Sequence, residues 1–180
     1  YTVTDSSGLT ATAIVNVTVA ATPPAPVAAN DDLSTGSGAA LTIVPGDLIG
    51  NDSGSGLTVS AIGPASSGTV ASNGSGGWTY TPAPGFSGTA TFPYTVTNGG
   101  GSSSATVTVT VRPDAVNDAA SVAAGATTPI AVLANDLGSA KTVTAAGPAA
   151  HGTVTFTASG VSYTPAAGYS GTDSFSYTLT

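Results

Sequence analysis

The chain has no cysteine and no methionine, and its nine acidic residues are all aspartate, so glutamate is missing as well. Arg112 and Lys141 are the only basic residues. A sequence without Glu or Met, and with one Lys and one Arg, has given up most good helix formers, which excludes a helical fold and points to β structure. The absence of cysteine removes disulfides and thiol chemistry and leaves the redox compartment open. With two basic residues against nine acidic and a net charge of −7, no basic patch exists to displace counterions from phosphate. Nucleic acid is excluded as a partner, and anionic membrane surfaces are disfavoured for the same reason. No apolar run approaches the length needed to cross a bilayer, so this segment makes no direct membrane insertion. The first residues, Tyr1-Thr2-Val3-Thr4-Asp5, carry neither an initiator Met nor the features of a signal peptide. The chain therefore reads as an excerpt of something longer.

What is present is apolar residues set among Thr, Ser and Gly, with 41% hydrophobic residues, enough to fill small cores. The apolar positions alternate. Ala105, Val107, Val109 and Val111 interleave with Thr106, Thr108 and Thr110; Phe175, Tyr177 and Leu179 interleave with Ser176, Thr178 and Thr180; Trp78 and Tyr80 interleave with Thr79 and Thr81. A period of two with β-branched Thr on the polar face predicts strands buried on one side. Turn signals separate the runs at Pro45-Gly46-Asp47, Asn73-Gly74, Pro84-Gly85, Asn98-Gly99 and Gly138-Ser139. Pro93 interrupts one strand and predicts a missing ladder hydrogen bond or a sheet edge there.

The chain is also repetitive. LTVSAIGPASSGTV from Leu57 aligns without a gap on KTVTAAGPAAHGTV from Lys141, and WTYTPAPGFSGTATFPYTVT from Trp78 aligns on VSYTPAAGYSGTDSFSYTLT from Val161. Asn30-Asp31 pairs with Asn117-Asp118, Asn51-Asp52 pairs with Asn135-Asp136, and Tyr1, Tyr94 and Tyr177 are equivalent. The repeat is a module of about 85 residues with about seven short strands, which fits a two-sheet antiparallel sandwich. The boundaries that follow are 1–24 for the last strands of one module, 25–112 for a complete module, and 113–180 for a module lacking its last strand. In the complete module Trp78, Tyr80, Phe92, Tyr94, Val96, Val107 and Val109 share one phase and form the expected core. The third module, lacking an ATVTVTV-type strand, is expected to offer an open sheet edge to a following strand or to a neighbouring chain.

This order of motifs, with two Asn-Asp pairs, then LTV…GPA…GTV, YTPxxGxSGTxxFxYTVT and a terminal ATVTVTV, resembles the bacterial Ig-like, cadherin-like tandem repeats of large surface and secreted proteins, adhesins among them. The resemblance covers essentially the whole chain. It implies an all-β fold of tandem Ig-like antiparallel β-sandwich modules, outside the cell or on its surface, acting as a stalk, spacer or filament and often stiffened by calcium. It carries candidate calcium ligands onto Asn30, Asp31, Asp52, Asn117, Asp118, Asn135 and Asp136. The family's motif usually continues the second Asn-Asp with further acids, whereas Asn51-Asp52 is followed by Ser-Gly-Ser-Gly and Asn135-Asp136 by Leu-Gly-Ser-Ala. A junction ion would draw on Asp114, Asn117 and Asp118, or on Asn30, Asp31 and Asp32 beside Asp5. Each set is lean for an ion that wants six to eight oxygens. The same Asn-Asp pairs read equally as turn formers that bond nearby backbone.

Enzymatic signals are missing. His151 is the only histidine, and its repeat counterpart is Ser67, which gives no reason to build a catalytic triad on it. No phosphate loop, zinc spacing or dinucleotide fingerprint is present. Trp78 reads as a core residue or as a sugar-stacking platform. The expected partners are neighbouring modules of the same chain, and copies of itself through strand complementation or lateral packing. The alternative functions are an adhesive module for carbohydrate or protein, and a non-catalytic appendage of a secreted enzyme.

Overall fold

The computed structural model describes residues 1–180. Fourteen strands and one short helix follow one another: β1 Thr2–Thr4, β2 Thr10–Thr12, β3 Asp31–Gly36, β4 Leu41–Ile43, α1 Pro45–Ile49, β5 Thr58–Ile62, β6 Thr69–Ser72, β7 Trp78–Thr81, β8 Gly88–Asn98, β9 Gly101–Arg112, β10 Thr128–Ile130, β11 Val143–Ala146, β12 Gly152–Thr157, β13 Gly160–Pro165 and β14 Tyr177–Leu179.

The central module is a seven-stranded sandwich, with β3-β9-β8-β5 facing β4-β7-β6. Its core is Ile43, Leu48, Tyr80, Ala90, Phe92, Tyr94, Val96, Val107, Val109 and Val111, all essentially inaccessible to solvent. The alternation of the sequence produces this directly. In β8 the residues Ala90, Phe92, Tyr94 and Val96 point inward while Thr and Pro point out, and β9 repeats the pattern from Val107 to Val111. Trp78 departs from the expectation of full burial: it is half-buried at the rim of this core, beside the turn that joins β6 and β7. One pairing departs from the antiparallel rule, since β3 runs parallel to β9 from Asp31↔Val107 to Gly36↔Arg112.

Two local features explain earlier signals. Pro45-Gly46-Asp47 opens a helix rather than a simple turn, because Pro suits the first helical position and the Asp47 carboxylate accepts the Val44 N–H at 2.9 Å. This short helix drops Leu48 into the core. Pro93 lies opposite Thr106, exposed, where β5 has just ended; its carbonyl accepts the Gly63 N–H at 2.8 Å. A side chain at position 63 would sit 2.6 Å from the Pro93 ring, so the chain can leave the sheet there only as glycine. The third module repeats the crossing with Gly147 over Ser176.

The third module has five strands, β10-β13-β12 facing β11-β14, around Val132, Val143 and Val161. Residues 118–123, which align with β3, are not a strand. The cause is pairing: β3 is held only by β9, and no strand of the chain occupies that position beside β14. At the other end β1 and β2 form a hairpin with Tyr1 bonded to Ala13, as Tyr94 pairs with Ala105 in the β8–β9 hairpin.

Candidate functional site

The Asn-Asp pairs, distant in sequence, converge with the repeated tyrosine at one end of each sandwich. In the central module the Tyr94 hydroxyl lies 2.7 Å from the Ala29 carbonyl, 2.8 Å from the Leu48 carbonyl and 3.2 Å from Asp52 Oδ1. Asp52 Oδ1 also accepts the Ala29 N–H at 2.7 Å. Asn51 Nδ2 donates to the Asn30 carbonyl, and Asn30 Oδ1 accepts the Thr106 N–H, which caps the start of the β3–β9 ladder. Each polar group thus ties the incoming 28–31 segment to α1 and the strands below it.

The third module rebuilds the arrangement. The Tyr177 hydroxyl reaches Asp136 Oδ1 and Oδ2 at 2.9 and 3.0 Å and the Val132 carbonyl at 3.1 Å. Asp136 Oδ1 accepts the Val116 N–H, and Asn135 Nδ2 donates to the Asn117 carbonyl. Burial, together with these carboxylates, raises both the Tyr94 and Tyr177 hydroxyls far above the ordinary tyrosine value. Both phenols are therefore fixed donors at any physiological pH.

Asp31 is the exception to this satisfaction. It is buried, Asp31 Oδ2 and Asp52 Oδ2 have no hydrogen-bond partner, and burial with the charge of Asp52 raises the Asp31 carboxyl above its ordinary value. Asp118 is exposed but lies beside the Tyr177 hydroxyl, next to Asp136. Asp32 and Asn117 are exposed, and Asp114 forms a backbone bridge with Leu137. Asp5 lies in the β1–β2 hairpin, where Oδ1 accepts the Ser7 and Leu9 N–H groups at 2.8 and 2.9 Å. No three carboxylates come together. The carboxylate oxygens left without a partner at the Tyr94 centre are Asp31 Oδ2 and Asp52 Oδ2.

His151 stacks on Tyr169 with ring centroids 4.3 Å apart. Asp173 beside it is taken up by the backbone N–H groups of Ala150, His151 and Ser174 and by the Tyr163 hydroxyl. Burial opposes its ionisation, but these bonds outweigh it and hold its carboxyl below the usual value, while burial and Asp173 push Tyr163 up to about 12. The Asp173–Tyr163 pair pins a loop. Trp78 lines a shallow groove of about 310 Å³ with Pro45, Ile49, Leu57 and Val59, which offers a sugar few polar groups.

The most specific contact is between modules, and sequence reasoning missed it. Ser87, in the loop before β8, and Ser139, in the loop before β11, form four mutual hydrogen bonds. Each serine N–H donates to the other's Oγ, at 3.2 and 2.9 Å, and each hydroxyl donates to the other's carbonyl, at 3.2 and 2.9 Å. Every donor is used once. Beside the clasp, a Cβ at Gly38 would lie 3.3 Å from Leu137 Cδ1, so the β3–β4 turn touches the third module too. The linker has no slack: Arg112 ends β9, and Asp114 is already bridged to Leu137 at 2.9 Å in both directions.

A family model described as bacterial Ig domain matches residues 23–110 and again 111–180. A search of curated proteins finds no match. Among solved structures, a point variant of the endo-fucoidan hydrolase MfFcnA4 and the endo-fucoidan hydrolase MfFcnA9, both of glycoside hydrolase family 107, align at 19% identity with TM-scores of 0.35 and 0.31. These alignments cover 99% and 88% of this chain and 31% and 32% of those chains. The chain thus spans about a third of their length, and scores of this size carry no inference about its activity.

Proposed function

The chain belongs to the bacterial Ig domain family, and from that premise we propose that it is a segment of an extracellular or cell-surface repeat array, a stalk, spacer or filament in which sandwiches stacked end to end supply reach. The observation that supports this reading is the junction between the second and third modules. Only Pro113 separates a strand fully committed to one module from a residue bridged into the next, and the Ser87–Ser139 clasp fixes the rotation about that point. A hinge cannot survive both constraints. With β9 running 12 residues, each module adds on the order of 40 Å along the strands.

This reading assigns no catalysis to the segment: Asp173, the carboxylate beside the single histidine, is consumed by structural hydrogen bonds to backbone and to Tyr163. The Asp-Tyr centres act as fasteners at the module ends, joining the entering segment to the sandwich. Small-angle X-ray scattering of the chain tests the array: a single elongated arrangement of the two sandwiches should fit the profile. Inserting a four-residue Gly-Ser stretch after Arg112 should then require an ensemble of orientations. If the parent chain already needs such an ensemble, the rigid-stalk reading fails.

A further inference from the structure

Two of the turns are built on Asn-Gly, at Asn73-Gly74 and Asn98-Gly99, and no other Asn-Gly step occurs in the chain. In this dipeptide the backbone nitrogen after the asparagine can attack the side-chain carbonyl, and glycine, having no Cβ, leaves that approach unhindered. The fold sets the same two residues in opposite surroundings.

Asn73 opens the loop between β6 and β7, and residues 73–76 are all exposed. Gly74 at φ +74° and Gly76 at φ +87° stand in open space, since a Cβ built at either would meet nothing within 4 Å. Asn73 Oδ1 accepts two backbone N–H groups, from Ser75 at 2.9 Å and from Gly77 at 3.1 Å. Two donors on one atom fix that atom as the oxygen, because an amide nitrogen there would face them with its own hydrogens. Nδ2 is left pointing away from both, with no partner in the protein. The Gly74 N–H is held only by Ser72 Oγ at 3.4 Å, which is long for a hydrogen bond.

Asn98 closes the β8–β9 hairpin and is tied down. Its Nδ2 donates to the Pro24 carbonyl at 3.0 Å and to the Ser55 carbonyl at 3.2 Å, and its Oδ1 accepts the Gly100 N–H alone, at 2.8 Å. The turn is also covered. A Cβ at Gly100 would run into the Pro23 carbonyl oxygen, and one at Gly99 would lie 3.5 Å from the Pro23 ring, so the Pro-rich entering segment lies across it.

We propose that Asn73-Gly74 is a self-modification site, at which the folded chain converts Asn73 to aspartate and isoaspartate through a succinimide with water as co-reactant, while Asn98-Gly99 is protected. The Gly74 nitrogen gives its proton to solvent base and bonds to Asn73 Cγ. The Cγ–Nδ2 bond then breaks, and Nδ2 takes up a proton and leaves as ammonia. Between these steps negative charge gathers on Oδ1, where the Ser75 and Gly77 N–H groups already point, as donors do in an oxyanion hole. Water opens the ring at either carbonyl. Breaking the bond to Cγ gives aspartate with the chain as before; breaking the bond to the backbone carbonyl carbon leaves the chain running through Cγ and gives isoaspartate. One water enters, one ammonia leaves, and nothing is oxidised or reduced. The product carries a new negative charge at the lip of the groove that Ser72, Gly76, Gly77 and Trp78 line. In the third module the matching loop is closed by the Thr157 and Ser159 hydroxyls at 3.0 Å and has no amide to react.

The reaction does not depend on the array, and both sites can be followed in one unaltered chain. Folded protein is held at neutral pH and physiological temperature in heavy-oxygen water, with a parallel sample in guanidinium chloride. With only two basic residues in the chain, chymotrypsin is the protease of choice. Mass spectrometry of the peptides then reads the solvent oxygen gained at each asparagine and separates isoaspartate from aspartate. Folded Asn73 should react at least about tenfold faster than folded Asn98, with the two rates drawing together in denaturant as the donors and the covering segment are lost. A smaller ratio in the folded chain overturns the proposal. A ratio that survives denaturation also overturns it, because the preference would then come from flanking sequence and not from the fold.

Discussion

At the scale of residues, each module is fastened by one tyrosine. Tyr94 is fully buried, and its hydroxyl serves two carbonyls and Asp52, so its ring and its oxygen make separable contributions. Tyr94→Phe should cost about 1 to 3 kcal/mol for the acceptors left unpaired, and Tyr94→Ala about 3 to 5 kcal/mol with the cavity included, both read from urea unfolding. Equal losses in the two variants would show that the hydroxyl contributes everything and the packing nothing. Asp31 has the opposite sign. Its folded carboxyl titrates above the ordinary 3.8, so the folded state holds its proton more tightly; the stability it contributes is present below that value and lost as pH rises through the folded one. Asp173, lowered in the fold, contributes above 3.8 and loses its contribution as pH falls. Asp31→Asn should therefore raise the melting temperature at pH 7, with a gain of about 1 kcal/mol, and the advantage should vanish near pH 3. A variant less stable than the parent at pH 7 would mean that the charge itself is wanted. The Asn-Asp pairs were legible as special positions, because they recur. Their meeting with Tyr94 and Tyr177 was not, since the tyrosine read as one more inward residue of an alternating strand, and only its hydroxyl, invisible to periodicity, gave it a second task.

At the scale of elements, alternation and turn residues made most strands legible, and the places where the reading departed have physical causes. The Pro45-Gly46-Asp47 sequence serves a turn and a helix start equally well, and the choice is made by whether Leu48 has a core to enter. The parallel placement of β3 leaves no mark on its own sequence, DDLSTG, because strand direction is decided by which partner is near. Partner dependence also explains why residues 118–123 are not a strand although they align with β3. Appending a sequence equal to Asn98–Arg112 after Thr180, which includes the turn that closes the β8–β9 hairpin, should supply that partner. Hydrogen exchange at residues 118–123 should then slow by an order of magnitude or more. Unchanged exchange would mean that the segment resists pairing for a reason of its own. The hairpin at the other end makes the same point in reverse: Val15, Val17 and Val19 follow the pattern of Val107, Val109 and Val111 yet are 65%, 77% and 87% exposed, because no sandwich lies beneath them.

At the scale of the whole molecule, rigidity comes from the brevity of the linker and from a clasp between two serines that look, in a chain rich in serine, like any others. Repetition was legible; the docking of one module on the next was not, since four hydrogen bonds between Ser87 and Ser139 leave no periodic trace. This bears on calcium. In an array where an ion holds modules together, removing it should release the junction, whereas here the junction is closed by neutral groups and a short covalent link. The carboxylates that remain, Asp31 and Asp52 in one module and Asp118 and Asp136 in the next, offer two per centre, which sets any affinity near the extracellular-module range of about 10⁻⁴ to 10⁻³ M. Ligand linkage then limits the effect: at ten times such a dissociation constant, stabilisation is only about 1.4 kcal/mol. Thermal melting of the chain in chelator and in millimolar calcium should accordingly differ by a few degrees at most, with Asp31→Ala and Asp118→Ala abolishing whatever difference exists. The scattering profile should be the same in both conditions, since serine hydrogen bonds do not depend on the ion. A melting shift of tens of degrees, or a chain that becomes flexible in chelator, would transfer the stiffening of the array from the serine clasp to the ion.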